Sequence, residues 1–141
     1  MDKHTRWGLS WLLLVAALAL HVADEALTGF LPIWNELAAQ VRSTIKWLPL
    51  PGFTFAGWLG GLITGVLLLL ALSPLFFRGR KGLQPLAYFF SILMILNGAG
   101  HITASLFWGR LAPGVLSAPL LIVFGIFLFS STRAITRRST P

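Results

Sequence analysis

No cysteine occurs in the 141 residues, which excludes disulfides, thiolate metal sites and cysteine nucleophiles. Acids are nearly as scarce, and Asp2, Asp24, Glu25 and Glu36 are the only four. Charged residues of both signs make up 11% of the chain against 56% hydrophobic, whereas a soluble domain carries about 25% charged residues. With a mean hydropathy of +0.81, a chain of this length has no room for a soluble domain beside its apolar runs. A G-x-S-x-G elbow is missing, so a Ser–His–Asp triad has no support. Ser105 is the only serine expected near the polar residues described below. No internal repeat or low-complexity tract stands out.

What the chain has in excess is basic and apolar. The net charge of +7 invites a nucleic-acid reading, but the basic residues lie between apolar runs and at the ends. That is how membrane proteins set their orientation, so no nucleic-acid partner is expected. Four stretches reach the roughly 20 apolar residues a span needs: Trp7–Phe30, Phe53–Phe77, Gln84–Phe107 and Leu111–Ser131. All four are read as helices, because open strands cannot cross hydrocarbon with unpaired edges. The predicted fold is an all-α, single-domain bundle of four transmembrane helices. Pro113 falls in the first turn of the last predicted span, where its missing N–H costs little. Pro119 falls inside it and is expected to bend it.

Lys3, Arg6, Arg78, Arg80, Lys81, Arg133, Arg137 and Arg138 share one side of such a bundle, against Arg42, Lys46 and Arg110 on the other. This asymmetry puts both termini in the cytoplasm, and the expected location is a bacterial inner membrane. The first run also resembles a signal peptide with a cleavage site at Ala17-Leu18-Ala19, but it is expected to remain as a span. The tail "TRAITRRSTP" is expected to be mobile. Between the first two spans, Pro32 and the Leu48–Gly52 stretch bracket a segment with Ile33, Leu37, Val41 and Ile45 every four residues. It is predicted to be an amphipathic interfacial helix over about residues 32–51. Gly57, Gly61 and Gly65 recur at four-residue spacing, a rhythm that lets helices approach closely. Packing within the chain is the preferred reading, with a homodimer as the alternative.

Against this apolar background, "HVADE" near the end of the first span is conspicuous. His21, Asp24, Glu25 and Thr28 share one helical face, and ionisable residues in a span mark a functional site by default. Asn97 and His101 form a second pair, four apart, with Gly98, Ala99 and Gly100 keeping the surface small. At 1.5 Å per residue, His21 and Glu25 lie roughly 21 and 27 Å into the first span, and Asn97 and His101 roughly 20 and 26 Å into the third. Both motifs therefore reach the same outer layer.

Three readings stay open. His21, Glu25 and His101 can hold a divalent metal (Zn, Fe or Mn suit nitrogen and oxygen donors without sulfur), or the five residues His21, Asp24, Glu25, Asn97 and His101 can do acid–base chemistry. They can also form a hydrogen-bonded cluster that ties helices together in a non-catalytic subunit. The two histidines can hold a haem-like ligand, although neighbouring carboxylates count against haem. Arg110, at the outer mouth, suits a phosphate or carboxylate headgroup, or serves as an interfacial anchor. The leading expectation is a membrane-embedded enzyme acting on a lipid-like or hydrophobic substrate.

At these residues a resemblance appears. "HVADE" resembles the H-x-x-E-E signature of the HXXEE family of small integral membrane proteins. "NGAGHI" is similar to its N-x-x-x-H motif, and "RLAPGVLSA", with Arg110, Pro113 and Gly114, to its R-x-x-P-G element. The resemblance implies an uncharacterised family suspected of enzymatic activity and highlights His21, Glu25, Asn97 and His101 without naming a reaction. Asp24 stands where the family name has Glu, which shortens the reach by one methylene. That difference matters only if this position binds a metal directly.

Overall fold

The computed structural model describes residues 1–136; the tail positions Arg137 and Arg138, counted above for orientation, lie outside the described residues. Helix α1 spans Lys3–Thr28. Asp2 caps it, accepting from the backbone N–H groups of His4 and Thr5, as N-cap carboxylates do. The Thr5 hydroxyl also donates to Asp2 at 2.5 Å, and these bonds hold its carboxyl down at about 2. The cap's stabilisation is therefore lost only as the pH falls toward that value. Its buried stripe runs Trp7, Trp11, Leu14, His21 and Glu25, with Leu18 packed against the core on the same face. Steps of three and four keep one face inward, so the apolar stripe leads straight into the polar motif.

Gly29, in the left-handed conformation at φ 82°, ends α1 and starts α2, Phe30–Thr44. The break comes at this glycine, ahead of the predicted one at Pro32, which is tolerated as the third residue of α2 because the first helical N–H groups lack intrahelical partners anyway. The helix also stops short of residue 51. The connection beyond it is tied down by Asn35, whose amide donates to the Phe53 carbonyl and accepts from the Phe53 N–H (2.9 and 3.0 Å), and by Arg42 bonding the Leu50 carbonyl.

Helices α3, Phe55–Ala71, and α4, Ser73–Phe77, form the second span, and α5, Gln84–Trp108, follows a single 3-10 turn at Lys81–Leu83. Helix α6 is Ala118–Thr136. Among the described residues, then, four helices are long and apolar enough to cross a membrane, and α2 is the additional helix predicted between the first two. No strand occurs among the described residues.

Three expectations need correction. The last helix begins at Ala118, seven residues later than predicted, because Gly114 adopts φ +80° and residues 111–117 form turns. Pro119 is therefore the second residue of α6, where its missing N–H is harmless, and it does not sit in the span interior. The tail is ordered as helix through Thr136, with Thr132 and Ile135 buried. Finally, the glycines of α3 do not mediate packing within the chain. A Cβ on Gly61 or Gly65 would meet nothing within 4 Å, and on Gly57 only Thr54 of the helix's own cap. Close approach occurs instead between α5 and α6, where a Cβ on Gly98 would lie 2.6 Å from the Ala118 carbonyl and one on Gly125 3.0 Å from that of Ser91.

The core gathers at the end where the chain starts. Trp11 stacks on Phe76 with centroids 3.9 Å apart, and Trp7 lies 4.7 Å from the same ring. The indoles donate to Thr132 and to the Leu69 carbonyl at 2.9 and 3.0 Å, while Ser10 meets Ser131 at 2.6 Å. These contacts place the start of α1 beside the end of α6. Helix α3 touches α1 and α4 but buries only Trp58.

Candidate metal centre

The polar motifs meet at the opposite end of the bundle. His21 and Glu25 come from the last two turns of α1, four residues apart on its buried face. His101 comes from α5, and the 111–117 loop closes over all three. Glu25 Oε1 lies 3.4 Å from His21 Nε2 and 3.2 Å from His101 Nε2, and one donor atom of each residue lies within 4.8 Å of the other two. The imidazoles meet edge to face with centroids 4.7 Å apart. His21 is 1% exposed and Glu25 6%, so the group is shut away from solvent except on the His101 side.

The other ring nitrogens determine where the protons sit. His101 Nδ1 lies 2.5 Å from the Pro113 carbonyl. A carbonyl can only accept, so Nδ1 carries hydrogen. His21 Nδ1 lies 2.9 Å from the Ser117 hydroxyl. That hydroxyl gives its proton to Asp24 Oδ2 at 2.7 Å, which also accepts the Ser117 N–H at 2.9 Å. The carboxylate wins over the weaker neutral acceptor, the Gly114 carbonyl at 3.2 Å, because bonds to an ionised acceptor are roughly twice as strong. Ser117 Oγ is thus left to accept from His21 Nδ1. In the neutral form of either ring, then, Nε2 bears a lone pair that faces a carboxylate oxygen, and in the protonated form Nε2–H donates to it. His21 Nε2 is buried without a hydrogen-bond partner.

With both rings neutral, three electron-rich atoms converge on one buried point and repel. A proton on each ring would relieve both nitrogen–oxygen pairs, and a divalent ion among the three atoms would relieve all of them at once. Donors about 2.0–2.2 Å from a tetrahedral ion lie about 3.3–3.6 Å from one another; the two separations from Glu25, 3.2 and 3.4 Å, come close to that spacing, and all three donor atoms lie within 4.8 Å of one another. The outer bonds to Pro113, Ser117 and Asp24 are the kind that fix tautomers around a metal.

His21, Glu25 and His101 therefore come together, and Asp24 supports them from behind through Ser117. Asn97 stays apart: it bonds neither histidine, and its Oδ1 is buried without a partner on the wall of a cavity of about 1170 Å³. Glu25, His101 and Arg110 line the same cavity. Arg110 lies over the Trp108 ring at 5.8 Å. Ser105 is outside the centre; it bonds the His101 carbonyl and the Ala112 N–H. Ser117, missed in the sequence, is the serine that matters. Gly114 is also structural here, since a Cβ on it would come within 2.9 Å of both imidazoles. Its N–H donates to Thr28 at 3.2 Å.

The fold and this group define a helical protein of the membrane-spanning class with a buried His/Glu/His cluster near one end. The chain belongs to the HXXEE family, proteins of unknown function with an HXXEE motif, whose family model matches residues 11–128. No curated protein and no solved structure matches it. Asp24, which departs from the family's motif letter, contacts Ser117 and is not among the converging donors, so the shorter side chain leaves the His/Glu/His geometry untouched.

Proposed function

We propose that the chain is a membrane-embedded, metal-dependent enzyme acting on a lipid-like or otherwise hydrophobic substrate, with His21, Glu25 and His101 as ligands. The observation that carries this reading is the convergence of two Nε2 atoms and a carboxylate oxygen, with each Nδ1 bonded elsewhere, to Ser117 and to the Pro113 carbonyl. Two histidines and one glutamate make a three-donor set, the number used by catalytic zinc sites that keep a position open, whereas structural sites close with four. Iron or manganese would suit the same donors. Such an ion, when bound, would supply Lewis-acid activation of a water or a carbonyl or phosphoryl oxygen. The chain's own part is to hold the ligand rings through Pro113 and Ser117, exclude bulk water from His21 and Glu25, and leave the His101 side facing the cavity. Asn97 and Arg110 line that cavity as orienting groups. The short spacing of the imidazoles leaves no space for a macrocycle between them, which speaks against the haem-like alternative.

Metal analysis of detergent-purified protein tests this. One divalent ion per chain is expected, lost in Glu25→Gln and His101→Ala without loss of helical content. A wild type that takes up no zinc, iron or manganese, while the same substitutions lower thermal stability, would make the cluster structural.

We further infer from the charge asymmetry that the termini face the cytoplasm of a bacterial inner membrane, with the metal centre toward the outer face. Ser43→Cys should react with an impermeant reagent on intact cells and Arg80→Cys should not; the reverse pattern would invert the orientation.

A further inference from the structure

Helix α5 uses one face, Ala87, Ser91, Met94 and Gly98, to pack on α6. A second stripe, Leu93, Leu96, Asn97, Gly100, His101 and Ala104, advances in steps of three and four and lines the large cavity. No helix covers that stripe. Helix α3 stands across from it, contributing Trp58 and Leu62 to the opposite wall, yet it packs on α1 and α4 and makes few contacts with α5. Helix α2 roofs the space with Phe30, Trp34 and Leu37. The result is a wedge between α3 and α5, apolar along its length and polar at its inner end, at the depth of the spans themselves. Its volume of about 1170 Å³ exceeds the roughly 300–1,000 Å³ of sites for drug-sized molecules.

We infer that this wedge is a lateral entrance for one membrane amphiphile, whose single acyl chain lies between α3 and α5 and whose anionic head sits between Arg110 and His101. The inference rests on the enzymatic reading above and adds to it the substrate class and its route. Three observations select this occupant. The walls are apolar where hydrocarbon would lie, from Leu62 to Leu96. The inner end offers a polar atom with no use inside the chain, the buried Asn97 Oδ1, and a buried unpaired acceptor calls for a donor from the ligand. At the mouth, Arg110 forms no ion pair with any of the described carboxylates and is held only against Trp108, leaving its guanidinium fork open to a phosphate or carboxylate. Glu36 and Gln40 lie on the α2 rim of the same cavity and are exposed. A second copy of the chain fits less well. The free face of α3 is glycine and leucine, and its Thr64 spends its hydroxyl on the Gly60 carbonyl, so it has nothing to offer Asn97.

The test uses the full chain in phosphatidylcholine vesicles doped with lysophosphatidic acid bearing a diazirine on its acyl chain. Photolysis should label α3 and α5 around Leu62, Leu93 and Leu96. Leu96→Trp, at a position 65% exposed and so tolerant of bulk, should cut labelling at least tenfold, and Leu93→Trp should do the same. Arg110→Gln should weaken labelling several-fold, but not labelling by an uncharged monoacylglycerol with the same tag. Metal content should stay at the wild-type level in all three variants. Labelling spread evenly over lipid-facing positions such as Leu68 and Ile126, or cross-links to a second copy in place of the lipid, would overturn the inference. A metal-loaded protein without wedge labelling refutes the entrance alone, whereas wedge labelling of a protein that binds no metal refutes the proposed chemistry alone.

Discussion

Where the chain starts, Trp7 donates to Thr132 and Ser10 meets Ser131, so these buried polar groups have found one another. At the far end, His21 Nε2, 3.4 Å from Glu25, and Asn97 Oδ1 on α5 are buried without a hydrogen-bond partner. Both regions lie between α1 and its neighbours, and both are largely screened from solvent. Polar groups that only hold helices together are closed pairs, because an unmet partner in hydrocarbon costs several kcal/mol. Polar groups kept for a ligand stay open in the free chain. On the reading proposed above, one end of the bundle holds the helices together and the other holds the site.

Breaking the closed end should have the largest effect. Phe76→Ala removes the ring on which both indoles rest and is expected to destabilise the protein by about 3–5 kcal/mol, read as a fall in thermal midpoint in detergent. The fraction that remains folded should still bind metal with wild-type affinity. Equal losses at both ends would dissolve the contrast.

A smaller effect is expected from Ser117→Ala, which takes away the anchor of His21 and the partner of Asp24. Loss of such a supporting group lowers metal affinity about 10–100-fold, measurable by competition with a chromophoric chelator, with little change in helical content. Unchanged affinity would mean that the Nδ1 bond does not set the ring.

Ser10→Ala sharpens the comparison from the other side. It deletes one member of a satisfied pair, while Ser131 keeps its bond to the Leu128 carbonyl at 2.9 Å, so a loss of about 0.5–1.5 kcal/mol is expected and no change in metal content. A shift in metal affinity would show the two ends to be coupled.

The smallest effect belongs to Gly61→Ala. With no atom within 4 Å of the new methyl group, the chain should keep its stability within about 0.5 kcal/mol. Any loss should appear only as a change in oligomeric mass, which would point to the homodimer that this glycine face can still support.

Much of this was readable before any coordinates. His21 and Glu25 had to share a face, being four apart on one helix, and counting rise per residue brought His101 to their level. Ser117 and the Pro113 carbonyl were hidden because residues 111–117 are apolar enough to pass for the start of a span. Only the left-handed Gly114 and the placement of Pro119 at a helix start reveal a loop there. The glycines of α3 misled for a different reason. In a soluble protein an apolar face must be buried, but a membrane helix turns apolar faces both to lipid and to protein. Hydropathy therefore cannot say which side of α3 meets α1. Asn97 lines the same cavity as Glu25 and His101, but sequence spacing cannot tell whether its side chain bonds a histidine or faces open space.

The site is assembled from segments far apart in the chain: Asp24 bonds Ser117 across 93 positions and Thr28 bonds Gly114 across 86. During synthesis α1 emerges first, and Glu25 already has His21 beside it on the same helix, whereas the Ser117 partner of Asp24 does not exist until the ribosome has passed it. Until then Asp24 lacks that partner, at a cost of up to about 2.5–3.5 kcal/mol were it at full depth. The loop after α5 then supplies Asp24 and Thr28 with their partners. A chain halted before Pro113 would leave both of these α1 side chains without them.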